Sequence, residues 1–183
     1  MAKRNLEAAI RQSDHDIAVR FLPFRMRPDV PPEGLDEPPR FYLDEAAVAN
    51  VQARGKELGI EYPHKCQRVP NTLKAHVLLE WAFELSPAKQ IEVAESLFRA
   101  YHTAGLDPTD VEVLVSAAVE AGLDPDEARK AVTSKERQRA TAQDIQRNAR
   151  RTNGVPTFFI NGKNIGSGMQ ASGALLQAFN EAA

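Results

Sequence analysis

Few residues in this 183-residue chain are of types that do chemistry. The one cysteine, Cys66, lies in the run Tyr62-Pro63-His64-Lys65-Cys66. A thiolate is the nucleophilic form of cysteine, and the neighbouring Lys65 and His64 favour it. A single cysteine makes neither an internal disulfide nor a Cys-x-x-Cys couple. His64 and Cys66 are too few ligands to hold a metal. Cys66 therefore reads as an incidental free thiol, and no catalytic residue and no metal ligand is assigned. Asn71 stands where a helix begins and is read first as its cap. His76, five positions on, is read as a packed or hydrogen-bonded helix residue and not as a base. Gly168 and Gln170 open the last helix, whose N-terminal amides attract a carboxylate as readily as they make a plain turn. Arg137, Arg139, Arg147, Arg150 and Arg151 read as a solvated face with cations near a helix C-terminus.

The elements that must position these residues are marked by local signals. Leu6 and Ile10 repeat at helical spacing, so the chain opens in a helix. Ile17 to Phe24 reads as a strand with Ile17, Val19 and Phe21 on one face, ending at Pro23. Residues 25–40 carry five prolines and read as a loop pinned to a surface by Met26, Val30 and Leu35. A helix from Phe41 to Leu58 stops at Gly59. Helices follow over Thr72–Leu85 and, from Ser86-Pro87, onward to Gly105. Gly105-Leu106-Asp107-Pro108 and Gly122-Leu123-Asp124-Pro125 use the same punctuation: glycine ends a helix, aspartate caps the next, proline takes its first turn. Thr133 and Glu136 form a capping box for a long helix to about Arg151. Pro156 makes a turn into the strand Thr157–Ile160. Asn161-Gly162 is a type I′ hairpin signal, with Lys163-Asn164-Ile165 returning. An amphipathic helix over Ala171–Ala182 closes the chain, with Leu175, Leu176 and Phe179 inward.

The bulk numbers exclude several classes. Hydrophobic content of 43% and charged content of 26% are those of an ordinary globular domain. A net charge of −2 gives no electrostatic reason to bind nucleic acid or an anionic membrane. No apolar run is long enough to span a bilayer. The first ten residues are charged and lack an apolar signal core. A reducing, cytoplasmic setting is expected.

Four stretches together resemble the DsbA family, in its FrnE-like branch, which is allied to 2-hydroxychromene-2-carboxylate isomerases and kappa-class glutathione transferases. They are Pro23-Phe24-Arg25-Met26-Arg27-Pro28-Asp29-Val30-Pro31-Pro32-Glu33-Gly34, Pro70-Asn71-Thr72-Leu73-Lys74-Ala75-His76, Gly154-Val155-Pro156-Thr157-Phe158 and Ser167-Gly168-Met169-Gln170. The resemblance implies an α/β thioredoxin-like fold with a helical insertion. Residues 1–40 and 152–183 would form the thioredoxin-like part and 41–151 the insertion. It implies a cis peptide bond before Pro156, with the Val155 backbone presented to a substrate peptide or to glutathione. It places Asn71, Gly168 and Gln170 near that site, with Met169 where the family usually has alanine.

Family members begin with a strand and a Cys-Pro-Trp-Cys or serine variant, and then the helix that residues 3–9 resemble. This sequence starts just after that motif. The first, internal strand is therefore expected to be missing from the sheet. Unpaired, buried strand edges cost about 1–3 kcal/mol per group, against a typical stability of about 5–15 kcal/mol. A longer physiological chain is the favoured expectation. A strand supplied from elsewhere and a sheet closed over the gap are the alternatives.

Three functions are expected from this reading. The first is a DsbA-family, FrnE-like thiol-disulfide oxidoreductase-like protein, redox-inactive as written, whose partner is a thiol- or disulfide-bearing protein. The second is a glutathione-dependent isomerase or transferase; no cofactor is expected beyond glutathione as a possible co-substrate. The third is a non-catalytic binding protein whose open sheet accepts a partner strand. A homodimer is compatible with the last; nucleic-acid and membrane partners are not expected.

Overall fold

The computed structural model describes residues 1–63, 67–152 and 154–182, with Phe41 described by its backbone alone. His64, Lys65 and Cys66 lie outside the described residues, as does Asn153. Helix α1 spans Ala2–Gln12, and α2 spans Glu45–Glu57 after a short 3-10 turn at Arg40–Leu43. Helices α3 (Leu73–Leu85), α4 (Pro87–Phe98), α5 (Val111–Glu120), α6 (Pro125–Thr133) and α7 (Lys135–Ala149) follow in succession. The hairpin of β1 (Thr157–Ile160) and β2 (Lys163–Ser167) leads to α8, Ser172–Ala182.

Two apolar clusters organise these elements. One is built from α3, α4, α5 and α6, around Leu78, Val93, Leu114 and Val132. Small alanines at the contacts, including Ala82, Ala118 and Ala128, let these helices approach closely. The other joins α1, α8 and the hairpin through Ala9, Leu175 and Phe179, with Phe158, Ile160 and Ile17 packed against them. Lys3 and Arg4 of α1 both pair with Glu95 of α4 and so tie the second cluster to the first.

The hairpin follows its sequence signal. Asn161 and Gly162 both take positive φ, 48° and 81°, as a type I′ turn requires. Ile160 pairs with Lys163 and Thr157 with Ser167, with an irregularity between Phe158 and Phe159. The return strand runs two residues beyond its expected end, to Ser167.

The segment Ile17–Phe24 is a correction. Its exposure alternates with Ile17, Val19 and Phe21 inward, but it pairs with no strand among the described residues. Its backbone is held by side chains instead. The Phe21 amide donates to Gln90 Oε1 at 2.8 Å, and Gln90 Nε2 donates back to the Phe21 carbonyl at 3.0 Å. Asn148 Nδ2 donates to the Pro23 carbonyl at 2.9 Å.

Several caps also differ from expectation. Helix α5 starts at Asp110, which accepts from the Glu112 amide, whereas Asp107 accepts from the Thr109 amide and pairs with Arg68. Helix α7 is capped by Ser134 and not by Thr133, whose hydroxyl donates back to the Arg129 carbonyl. Helix α4 ends at Phe98 in a widened π turn, Arg99–Thr103, before Gly105 takes φ 71°. At the second glycine signal Asp124 and Pro125 behave as the sequence implies.

Candidate functional site

The site is a cleft of about 1780 Å³ running between the 17–24 segment, the faces of α3 and α4, and β1. Its walls are set by backbone fixed in two different ways. On one side, amides from the helices hold residues 17–31. Besides Gln90 and Asn148, Asn71 Nδ2 donates to the Val30 and Pro31 carbonyls at 2.8 and 3.0 Å. The Asn71 Oδ1 accepts the Leu73 amide and so starts α3. Asn71 thus spends its whole amide on structure and does not line the cleft.

On the other side stands the loop into β1. The Val155–Pro156 peptide bond is cis. Three hydroxyls brace it from below: Thr157 Oγ1 lies 2.5 Å from Thr152 Oγ1 and 2.7 Å from Ser167 Oγ. The Gly154 carbonyl accepts from Thr157 Oγ1 at 2.6 Å, and the Gly168 amide donates to the Pro156 carbonyl at 2.8 Å. Gly168 reaches that carbonyl at φ 88°, where a side chain is disfavoured. Val155 is 43% exposed on the lip of the cleft. Leu22 and Met26 of the opposite wall are exposed there too.

The sequence-derived residues are therefore divided. Val155 and Pro156 line the cleft, and Gly168 supports them from behind. Gln170 does not line it; its carbonyl accepts from Asn5 Nδ2 at 2.8 Å, which joins the start of α8 to α1.

Three residues were missed. Gln90 and Asn148 fix the first wall, and Arg151, read from sequence as part of a solvated face, places its guanidinium 4.4 Å over the Phe159 ring beside the cleft. His76, read as a packed or hydrogen-bonded helix residue, hydrogen-bonds the Phe24 backbone in that wall. For Gln90 a signal existed. It shares the spacing of Val93, Ala94 and Leu97, so it lies on the apolar face of α4 and must find buried partners there. Arg137 is likewise not merely solvated, since it pairs with Glu84 of α3 at 2.8 Å.

Two histidines that line the cleft are held toward the neutral form. Burial pushes the His76 imidazole down to about 4, with a hydrogen bond to the Phe24 backbone opposing the shift and the Arg25 charge adding to it. Burial also pushes His102 down to about 4, helped by the positive amine of Met1. The His102 ring is enclosed by Tyr101 and Tyr62, at 4.9 and 5.4 Å between centroids. Neutral imidazoles thus stand among apolar side chains such as Ile17, Leu22, Leu79 and Val155 in the lining of the cleft. Among the described residues no three side chains of metal-binding type come together. No described helix is long and apolar enough to cross a membrane.

Comparison with known proteins is consistent with this geometry. The family pattern of the DSBA-like thioredoxin domain matches residues 1–180. The uncharacterized protein YwbO of Bacillus subtilis (strain 168) is 27% identical over 174 residues, covering 87% of this chain and 79% of that protein. The crystal structure of a probable DsbA oxidoreductase from Streptomyces coelicolor superposes with a TM-score of 0.80 at 24% identity, covering 99% of this chain and 82% of the other.

Proposed function

The chain belongs to the DSBA-like thioredoxin domain family, and from that premise we propose that it is a FrnE-like, thiol-disulfide oxidoreductase-like protein that binds its substrate polypeptide against the Val155–Pro156 backbone. The observation that carries the reading is the position of Val155. It is exposed at the lip of an apolar cleft, on a loop braced by Thr152, Thr157, Ser167 and Gly168. A backbone edge held in this way pairs with an extended segment at little further entropic cost. The substrate class is a thiol- or disulfide-bearing protein in a reducing, cytoplasmic setting.

Disulfide exchange needs a thiolate that attacks one sulfur while the other leaves as thiolate, and a second thiol to resolve the mixed disulfide. These 183 residues hold one cysteine. They bind such a substrate without turning it over.

The test has two parts. Insulin reduction by dithiothreitol is expected to run no faster with the chain than without it, and acceleration that survives Cys66→Ala sinks the claim of redox inactivity. Alkylated insulin B chain, fluorescently labelled, is expected to bind at least about tenfold more weakly to Val155→Glu, which sets a carboxylate on an apolar contact at a cost of about 1–3 kcal/mol. Unchanged binding by that variant removes the loop from the site.

The glutathione reading has less support. The Asn71 amide is fully engaged, and the cleft exceeds the roughly 300–1,000 Å³ usual for small ligands. Millimolar glutathione is expected to leave the melting temperature unchanged.

A further inference from the structure

The tip of the β1–β2 hairpin sets a nucleophile beside an electrophile and leaves both open to solvent. Asn161 and Gly162 are exposed and take φ 48° and 81°. Ile160 stands opposite Lys163, so these two residues are the whole connection. The Gly162 amide donates to no group among the described residues. A Cβ added to Gly162 would meet nothing within 4 Å, so the space beside it is empty. The Asn161 side chain is held by one hydrogen bond, from Nδ2 to the carbonyl of Ala182 in α8 at 3.1 Å. A single exposed bond of this kind slows the swing of the side chain by about tenfold at most.

Other asparagines lack this combination. Asn164 precedes the half-buried, β-branched Ile165, and its Oδ1 accepts the Gly166 amide at 2.8 Å. Asn148 lies inside α7 with its Nδ2 held by the Pro23 carbonyl. Asn71 gives its amide to Val30, Pro31 and Leu73. Asn153-Gly154 repeats the dipeptide in sequence, and Asn153 lies outside the described residues.

We propose that Asn161 is a spontaneous modification site. Base takes the proton from the Gly162 amide, and the nitrogen attacks Asn161 Cγ. The Cγ–Nδ2 bond breaks, ammonia leaves, and a succinimide ring closes across the two residues. Closure is intramolecular and depends on close approach, which a side chain on residue 162 would hinder. Water then opens the ring. Attack at Cγ gives aspartate. Attack at the Asn161 backbone carbonyl carbon gives isoaspartate, whose main chain runs through Cβ and Cγ. No oxidation state changes, and water is the only co-reactant. The isoaspartate presents a free α-carboxylate on an exposed turn, so the enzyme class that fits it is a carboxyl methyltransferase.

Both products add one negative charge to the hairpin tip. A carboxylate accepts but does not donate, so the bond to Ala182 is lost and an anion faces that carbonyl. Isoaspartate also adds a backbone atom to a turn that needs positive φ at both positions. Strand β2 carries Ser167, which with Gly168 braces the Val155–Pro156 loop, so the tip and that loop share a strand. The modification is independent of what that loop binds.

The test keeps the full chain folded in mildly alkaline buffer at physiological temperature and follows it by peptide mass spectrometry. Methyl transfer from S-adenosylmethionine by an isoaspartyl methyltransferase is the second readout. The peptide holding Asn161 is expected to gain the mass difference between oxygen and NH, at a rate proportional to hydroxide and within about tenfold of the urea-unfolded chain. Gly162→Ala, shown to be folded by circular dichroism, is expected to react at least about tenfold more slowly. Asn161→Asp, which carries the side chain of one product, is expected to melt about 2–4 °C lower. An Asn161 that reacts only after unfolding overturns the proposal, because the fold then protects it. Modification confined to Asn153 overturns it as well. An unchanged rate in Gly162→Ala overturns the assignment of the nucleophile, and an unchanged melting temperature in Asn161→Asp overturns the consequence drawn from the Ala182 bond.

Discussion

Replacing Gln90 by leucine tests the idea that one buried amide does the work of a neighbouring strand. The Gln90 side chain accepts from the Phe21 amide at 2.8 Å and donates to the Phe21 and Leu79 carbonyls at 3.0 and 3.2 Å. Leu79 lies inside α3, so its carbonyl keeps its helical donor. The cost falls on Phe21, whose amide and carbonyl are left unpaired in a half-buried position at about 1–3 kcal/mol each. Water reaches part of this segment, which favours the lower end, about 2–4 kcal/mol for the two groups. Burying leucine in place of an amide returns about 1 kcal/mol. The expected net loss is about 1–3 kcal/mol, which for a chain of this size lowers Tm by about 3–10 °C. Urea unfolding followed by far-UV circular dichroism measures the loss, and hydrogen exchange at the Phe21 amide reports its release. Gln90→Glu sharpens the test, because its carboxylate faces two carbonyls. Folding then favours the protonated form, so its deficit relative to wild type is greatest at neutral pH and shrinks as pH falls. A Gln90→Leu protein within about 0.5 kcal/mol of wild type, with unchanged exchange at Phe21, refutes the reasoning, since surface-level effects are of that size.

Two more predictions rest on the same structure. His76 and His102 both stay neutral in the fold down to about 4, whereas unfolded histidine protonates near 6.5. Between those values the unfolded state binds more protons, so stability is full above about pH 6.5, falls toward pH 4 and then levels off. The loss is of the order of 3 kcal/mol per histidine, and a flat stability profile between pH 7.5 and pH 5 in urea titrations contradicts it. At Gly55 a Cβ would stand 2.7 Å from Cδ2 of Tyr62 and 2.8 Å from the Ile60 carbonyl oxygen, and the backbone oxygen cannot swing aside. Gly55→Ala is therefore expected to lose about 1–3 kcal/mol, which a melting curve equal to that of wild type excludes.

Legibility from sequence followed the range of the physics. Signals that act within four residues gave the hairpin at Asn161-Gly162, the Asp124-Pro125 start of α6 and the inward face of α8. They failed where two local candidates compete. Ser134 and Thr133 both offer a capping hydroxyl, as Asp110 and Asp107 both offer a carboxylate, and the winner depends on where the helix packs. The strand at Ile17–Phe24 was legible as an alternating pattern but not as an unpaired chain, because alternation reports burial on one face and says nothing of the edges. Val155 and Pro156 stood out because a turn, a strand and a hairpin followed in order. Arg151 did not, since its place over Phe159 depends on how α7 meets β1.

By itself the sequence determined the helices and the closing hairpin, the family resemblance and the presence of a single thiol, because each is written in residue identity or short spacing. Only the tertiary structure decided what Gln90 and Asn148 do, and that the Asn71 Nδ2 reaches the Val30 and Pro31 carbonyls while its Oδ1 starts α3. A side-chain amide bonds equally well to a ligand, to water or to a backbone tens of residues away. Which partner it has is fixed when α3, α4 and α7 close on residues 17–31, an event no local pattern records.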